Sequence, residues 1–210
     1  MENEKYSNYP LSISAILGLI EANDIAIPEI QRPFVWRRTQ VRDLIDSLYK
    51  GYPTGYIILW KNPNVKLKDG TISSGKKVLI DGQQRITAMM TAIAGRTVFN
   101  SEYKEDRITI AFNPLAAKSN DPDAEIFAVT TPAIRKSKWW IPDIAELFST
   151  SYSSFKFIPK YCEANPEMEP EELERIITKV KGIANRMIGV IELSENLDID
   201  VVTDIFIRIN

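Results

Sequence analysis

The chain has 210 residues, 44% hydrophobic and 26% charged, enough for one full hydrophobic core with room for a small annex. A formal charge of −2 argues against a generic nucleic-acid coat and leaves room for a local basic groove. With no histidine and a single cysteine, Cys162, the chain cannot form an internal disulfide, a thiolate zinc cage, a His-ligated metal site, or a Ser-His-Asp or Cys-His catalytic centre. Chemistry must come from carboxylates, Arg, Lys, Gln, Tyr, Thr, backbone N–H groups or a hard cation such as Mg²⁺. No apolar run approaches the roughly 20 residues of a membrane span, and Met1 to Pro10 lacks a signal-peptide core. A cytoplasmic protein is expected.

Residues 1–11 are expected to be a flexible N-terminus. Ser12 precedes Ile13, Ile16, Leu17 and Ile20, which predicts a capped helix ending near Asn23. Ile25-Ala26-Ile27 reads as a short strand ended by Pro28, and residues 28–38 as an irregular loop. Thr39 is placed to cap a helix with the stripe Val41, Leu44, Ile45 and Leu48, stopped at Gly51. A strand is predicted over 55–60, a polar turn region over 61–76, a strand over 77–80 and a helix over 82–94 that stops at Gly95. Strands over 107–112 and 125–130 flank a loop, and residues 141–149 form a short helix with Pro142 in its first turn. Residues 150–168 follow no period. Pro170 opens a long helix with Leu173, Ile176, Ile177 and Val180 on one face, and a strand follows over 188–193. From Asp198, helical spacing sets Val202, Ile205, Phe206 and Ile209 inward and runs to Asn210 without a cap. That ending suggests an N-terminal piece of a longer protein. Interleaved strands and helices predict an α+β (mixed α/β) fold with a small mixed sheet and surrounding helices.

The most informative segment is Val78-Leu79-Ile80-Asp81-Gly82-Gln83-Gln84-Arg85-Ile86-Thr87. A strand feeds a helix through a tight turn, and Ile86, Met89, Met90 and Ile93 recur on one helix face. A helix N-terminus offers unpaired N–H groups and the positive end of the macrodipole, a setting that attracts phosphate. A bland reading makes Asp81 an N-cap and Gly82 a turn residue. It accounts less well for two glutamines and an arginine crowded into the first turn. The loop Ile27-Pro28-Glu29-Ile30-Gln31-Arg32-Pro33-Phe34-Val35-Trp36 is either a hydrophobic plug or a rigid presenter of Gln31 and Arg32 to an anion. Phe206-Ile207-Arg208-Ile209-Asn210 is weak alone. Arg135-Lys136-Ser137-Lys138-Trp139-Trp140 reads either as a nucleic-acid grip or, the favoured reading, as an exposed turn before a buried Trp pair. Asp121-Pro122-Asp123 reads as a turn rather than a metal site.

In order, the chain shows Pro-x-x-Gln-Arg-Pro-Phe-x-Trp, Gly-Tyr-Pro-x-Gly, Asp-Gly-Gln-Gln-Arg-x-Thr and a late Phe-x-Arg-Ile-Asn. This set resembles the N-terminal domain of the GmrSD-type restriction endonucleases, in the ParB/sulfiredoxin-like superfamily, from about Ser12 to Asn210. The resemblance implies a ParB-like domain over 12–210, truncated before a C-terminal domain. It implies a nucleotide or phosphate site at Asp81 to Arg85, with Gln31 and Arg32 facing the same cleft. Relatives of this kind bind and hydrolyse nucleoside triphosphates to gate DNA cleavage, in defence against phage with modified DNA. Cleavage in many of them belongs to a C-terminal His-Asn-His-type nuclease domain, absent from this histidine-free chain. Sulfiredoxin chemistry is not expected, because the phosphate turn has Gln and Arg where a cysteine is needed.

The expectation is therefore a nucleotide-binding, NTP-hydrolysing regulatory domain of a DNA-targeting protein. GTP, ATP or CTP with Mg²⁺ would sit at Gln31, Arg32, Asp81, Gly82, Gln83, Gln84, Arg85 and Thr87, with Arg208 and Asn210 closing the site. Asp81, Gln84 and Arg85 are the catalytic candidates, and Asp81 the metal ligand. Electrostatic positioning carries most of phosphoryl-transfer catalysis, so histidine is not required. The expected partners are modified DNA and a C-terminal nuclease domain, with a homodimer left open and no membrane. Two alternatives stand beside this: a non-catalytic DNA-binding module, and a Mg-dependent phosphodiesterase, which needs a second carboxylate near Asp81 that the sequence does not identify.

Overall fold

The computed structural model describes residues 4–27, 33–61, 76–119 and 121–209. In chain order the elements are β1 (Tyr6–Ser12), α1 (Ile13–Glu21), β2 (Ile25–Ala26), α2 (Arg38–Lys50), β3 (Tyr56–Lys61), β4 (Lys77–Asp81) and α3 (Gln83–Ala92). Next come β5 (Val98–Phe99), β6 (Glu105–Asp106), β7 (Ile110–Phe112), α4 (Pro114–Lys118), β8 (Phe127–Val129), α5 (Pro132–Lys136) and α6 (Ala145–Phe148). The chain continues through α7 (Ser154–Ala164), α8 (Pro170–Lys181), a 3₁₀ turn (Gly182–Asn185), β9 (Met187–Leu193) and α9 (Ile199–Ile209). The fold is mixed α+β, as the interleaved pattern predicts. It divides into two compact units, one from residues 1–32, 53–86 and 185–210, the other from 33–52 and 87–184.

The first unit is built on a five-stranded mixed sheet in the order β1-β9-β3-β4-β2. β9 runs antiparallel to β1 and parallel to β3, β3 antiparallel to β4, and β4 parallel to β2. Ile57, Ile58, Leu59 and Trp60 are all at most 2% exposed. A run buried on both faces belongs in the centre of a sheet, where β3 lies. Ile58 and Trp60 pack with Leu193 and with Val202 of α9, and Ile80, Ile191, Leu197 and Ile205 fill the margin. The Asp198 carboxylate caps α9 by accepting from Val201 N at 2.8 Å. Phe206 and Ile209, expected inward, stay 36% and 52% exposed.

Residues 6–12 correct the expectation of a flexible N-terminus. They pair along their whole length with β9, from Tyr6 opposite Leu193 to Ser12 opposite Met187. Pro10 is tolerated because β1 is an edge strand, where a missing N–H costs no ladder bond. The strand is also clamped by side chains. Lys77 Nζ donates to Tyr9 Oη at 3.0 Å and pairs with Glu192 at 2.5 Å, while the Tyr9 hydroxyl donates to the same carboxylate. Burial would raise the Glu192 pKa, but these hydrogen bonds outweigh it and hold the carboxyl below its usual range. Ser12 caps α1 as expected, its hydroxyl accepting from Ala15 N at 3.1 Å.

In the second unit α2 buries Val41, Leu44, Ile45 and Leu48 and stops at Gly51 with φ 77°. Its cap is Arg37 rather than Thr39: the Arg37 amide donates to Gln40 Oε1 at 2.8 Å. Tyr49 of α2 meets Phe127 at 5.3 Å and Phe112 at 6.3 Å, joining α2 to the β7–β8 pair. Arg107 pairs at 2.6 Å with Asp143, a carboxylate only 6% exposed whose other oxygen accepts from Ala145 N. The unpatterned stretch 150–168 contains α7, with Pro159 inside it. Residues 113–124, expected as loop, contain the single-turn helix α4.

Candidate functional site

The turn between β4 and α3 is fixed by backbone requirements. Gly82 has φ +89°, which L side chains rarely adopt, and an added Cβ would stand 2.7 Å from Ile57 Cγ2. Its carbonyl accepts the first helical bond, from Ile86 N at 3.0 Å. Asp81 ends β4 opposite Ile58, beside a register shift in β3. Gln83, Gln84 and Arg85 form the first turn of α3, each half-buried.

Arg85 is the best-defined member of this group. Its Nη1 donates to the Tyr56 carbonyl at 2.6 Å. Its guanidinium lies against two positive-φ glycines: a Cβ at Gly55 (φ +84°) would meet Nη2 at 3.0 Å, and one at Gly82 would meet Nη1 at 3.4 Å. The slot thus needs glycine on both sides. Burial pushes the Arg85 pKa down, while Asp81 pulls it back up. A cation in the first helical turn is opposed by the macrodipole, and a neutral carbonyl does not cancel its charge. The Asp81 carboxylate offsets part of this charge, and an anion at the helix N-terminus would offset more.

Tyr56 adds a flat surface to the same place. Its ring covers Gly189, its partner on β9, where any Cβ would collide with it, and the residue remains 55% exposed. Gly55 closes the Gly-Tyr-Pro-x-Gly motif and Tyr56 follows it, and the sequence alone places both only in a strand over 55–60. The spacing of the two glycines around one arginine appears only in three dimensions.

The other expected residues divide three ways. Thr87 is buried, 9% exposed, and does not face solvent. Arg208 is exposed and pairs with Asp204 one turn earlier at 3.0 Å; the structure does not join it to the Asp81–Arg85 turn. Gln31, Arg32 and Asn210 lie outside the described residues. Among the described residues no group of three or more Cys, Asp or Glu side chains could hold a metal ion.

Two further motifs resolve. Asp121 forms a turn, its Oδ1 accepting from Asp123 N at 2.9 Å. The basic run does not precede a buried Trp pair, because Trp139 is 52% exposed and Trp140 only half-buried. Among the described residues no helix is long and apolar enough to cross a membrane.

The family model described as "GmrSD restriction endonuclease, N-terminal domain" matches residues 13–210. An uncharacterized protein of Methanocaldococcus jannaschii is 29% identical over 89 residues, covering 33% of this chain and 14% of that relative.

Proposed function

The chain belongs to the GmrSD restriction endonuclease N-terminal domain family, and from that premise we propose that it is the nucleotide-responsive regulatory domain of a DNA-targeting restriction protein. The observation that carries the reading is the Arg85 slot: a partly desolvated guanidinium held at a helix N-terminus between Gly55 and Gly82. Arg has five donors in a planar fork, so the bond to Tyr56 leaves others for phosphate oxygens. Gln83 and Gln84 extend from the same turn and would bond phosphate oxygens or position water. Asp81 would hold Mg²⁺ bound to the phosphates or orient an attacking water, and the exposed Tyr56 ring would stack on a base. Gln31 and Arg32 enter this reading through the family resemblance alone. The chain spans 14% of the length of the curated relative it matches. DNA cleavage, the nuclease domain that performs it and the modified DNA it attacks are therefore part of the proposal.

The test is calorimetry with GTP, ATP and CTP, each with Mg²⁺, on the native chain and on Arg85→Ala. Loss of a charged hydrogen bond of about 1.5–3 kcal/mol predicts roughly 10–100-fold weaker binding. Equal binding by the two proteins removes Arg85 from the site, and no binding of any nucleotide by either refutes the reading.

A further inference from the structure

On one face of the first unit's sheet, Val202 of α9 packs on Ile58, Trp60 and Leu193. The register sets the next row of that face side by side across three strands: Tyr56 of β3, Gly189 of β9 and Pro10 of β1. Met187, two residues before Gly189, stands on the same face. Tyr56, Pro10 and Met187 are all exposed, so this end of the face is an open apolar floor. Gly189 adds no side chain to it. Glycine weakens an interior strand, and Gly189 is not among the positive-φ glycines, so its backbone does not call for one. The Tyr56 ring does. A Cβ on Gly189 would stand 2.3 Å from both Tyr56 Cδ1 and Cε1.

An aromatic ring laid over a strand glycine shields the backbone, and that alone would make the pair structural. Tyr56 has a second task. β4 ends at Asp81 opposite Ile58, short of Tyr56, and Arg85 Nη1 supplies the hydrogen bond to the Tyr56 carbonyl at 2.6 Å. Carbonyls lie in the plane of a sheet and side chains stand out of it. The guanidinium therefore meets β3 at the rim of the sheet, and the ring stands on the adjoining face. One residue carries both.

We infer that Gly189 is a positioning residue for a nucleobase: by leaving its own Cβ space to the Tyr56 ring, it holds that ring as a one-sided stacking platform beside the Arg85 slot. This rests on the nucleotide reading and adds the ligand class. Stacking accepts any base because every base has a π face, and it ranks bases by stacking strength. The larger purine ring covers more of the platform, so purine nucleotides bind ahead of pyrimidine nucleotides. Gly189 itself touches no ligand and acts through Tyr56.

The experiment is calorimetry of the 210-residue chain with ATP, CTP and inorganic tripolyphosphate, each with Mg²⁺. The native chain binds ATP more tightly than CTP. Tyr56→Ala weakens ATP about tenfold and CTP less, and leaves tripolyphosphate unchanged. Gly189→Ala, whose new Cβ drives the exposed ring aside, lowers the ratio of ATP to tripolyphosphate affinity in the same way, and adds nothing in the Tyr56→Ala background. Arg85→Ala weakens all three ligands by a similar factor. Thermal melting checks that each variant is folded. A folded Gly189→Ala chain that keeps the native ratio overturns the inference, as does a further loss from Gly189→Ala in the Tyr56→Ala background, or CTP bound as tightly as ATP by the native chain. Those results leave the Arg85 reading standing. Binding of none of the three ligands by the native chain overturns both.

Discussion

Replacing Gly82 with alanine tests the architecture beneath the candidate site. Two costs arise. The first is conformational: at φ +89° an L side chain is strained by about 1–2 kcal/mol. The second is steric, since the new Cβ would lie 2.7 Å from Ile57 Cγ2 and 3.3 Å from Ile57 Cβ. Ile57 is fully buried on the central strand, so it cannot swing into solvent, and overpacking of this kind costs about 1–3 kcal/mol. Together Gly82→Ala should destabilise the chain by about 2–5 kcal/mol, read as a lower urea midpoint at unchanged slope. Ile57→Ala removes Cγ2, the atom at 2.7 Å, leaves Cβ at 3.3 Å, and itself costs about 2–5 kcal/mol as a cavity. In that background Gly82→Ala should lose most of its steric cost and keep the conformational part, giving a coupling of about 1–3 kcal/mol in a double-mutant cycle. Equal cost in both backgrounds would refute the steric argument. A Gly82→Ala chain within about 0.5 kcal/mol of native would refute both parts.

Gly55→Ala meets the flexible end of Arg85 rather than a packed core, so it should cost only about 1–2 kcal/mol in stability. It should also weaken nucleotide binding by displacing the guanidinium, which calorimetry on the folded variant detects; native affinity would argue against the slot. Glu192 has a depressed folded pKa, so its stabilisation is complete above its ordinary value near 4.5 and is lost as pH falls through the folded value. The stability gap between the native chain and Glu192→Gln, roughly 1–2 kcal/mol at pH 7, should therefore close on acidification, and a gap constant with pH would contradict the assignment. Arg107→Leu strands the buried Asp143 carboxylate and should lower stability by about 2–3 kcal/mol, less than a fully buried pair because Arg107 is partly exposed. Restoring stability by adding Asp143→Asn in that background is the confirming measurement.

Local signals carried much of this fold. The apolar run 78–80 followed by Ile86, Met89 and Ile93 at helical spacing located β4 and α3, because both patterns lie within one stretch of chain. Gly51 and Gly95 as stops follow from the same local chemistry, with φ values of 77° and 66°. β1 was not legible, since Tyr6–Ser12 is polar, contains a proline and is ordered by a strand far along the chain. α7 was hidden by Pro159, which interrupts the helical pattern a reader relies on. At the site, Arg85 was legible from its first-turn position. Its slot was not, because Gly55 reaches the guanidinium from thirty residues away, and no periodicity encodes that approach.

The position of β9 has a consequence for biosynthesis. β1 and β3 both emerge early from the ribosome, yet each hydrogen-bonds to Met187–Leu193, which lies between them in the sheet. β3 must wait for this neighbour, with the side of Ile58 and Trp60 that packs on Leu193 and Val202 uncovered, until about 130 further residues, from Trp60 to Leu193, have been translated. At about 5–20 residues per second that is a wait of several seconds or longer, a window in which a holdase chaperone would matter more than for a domain whose strands pair in order.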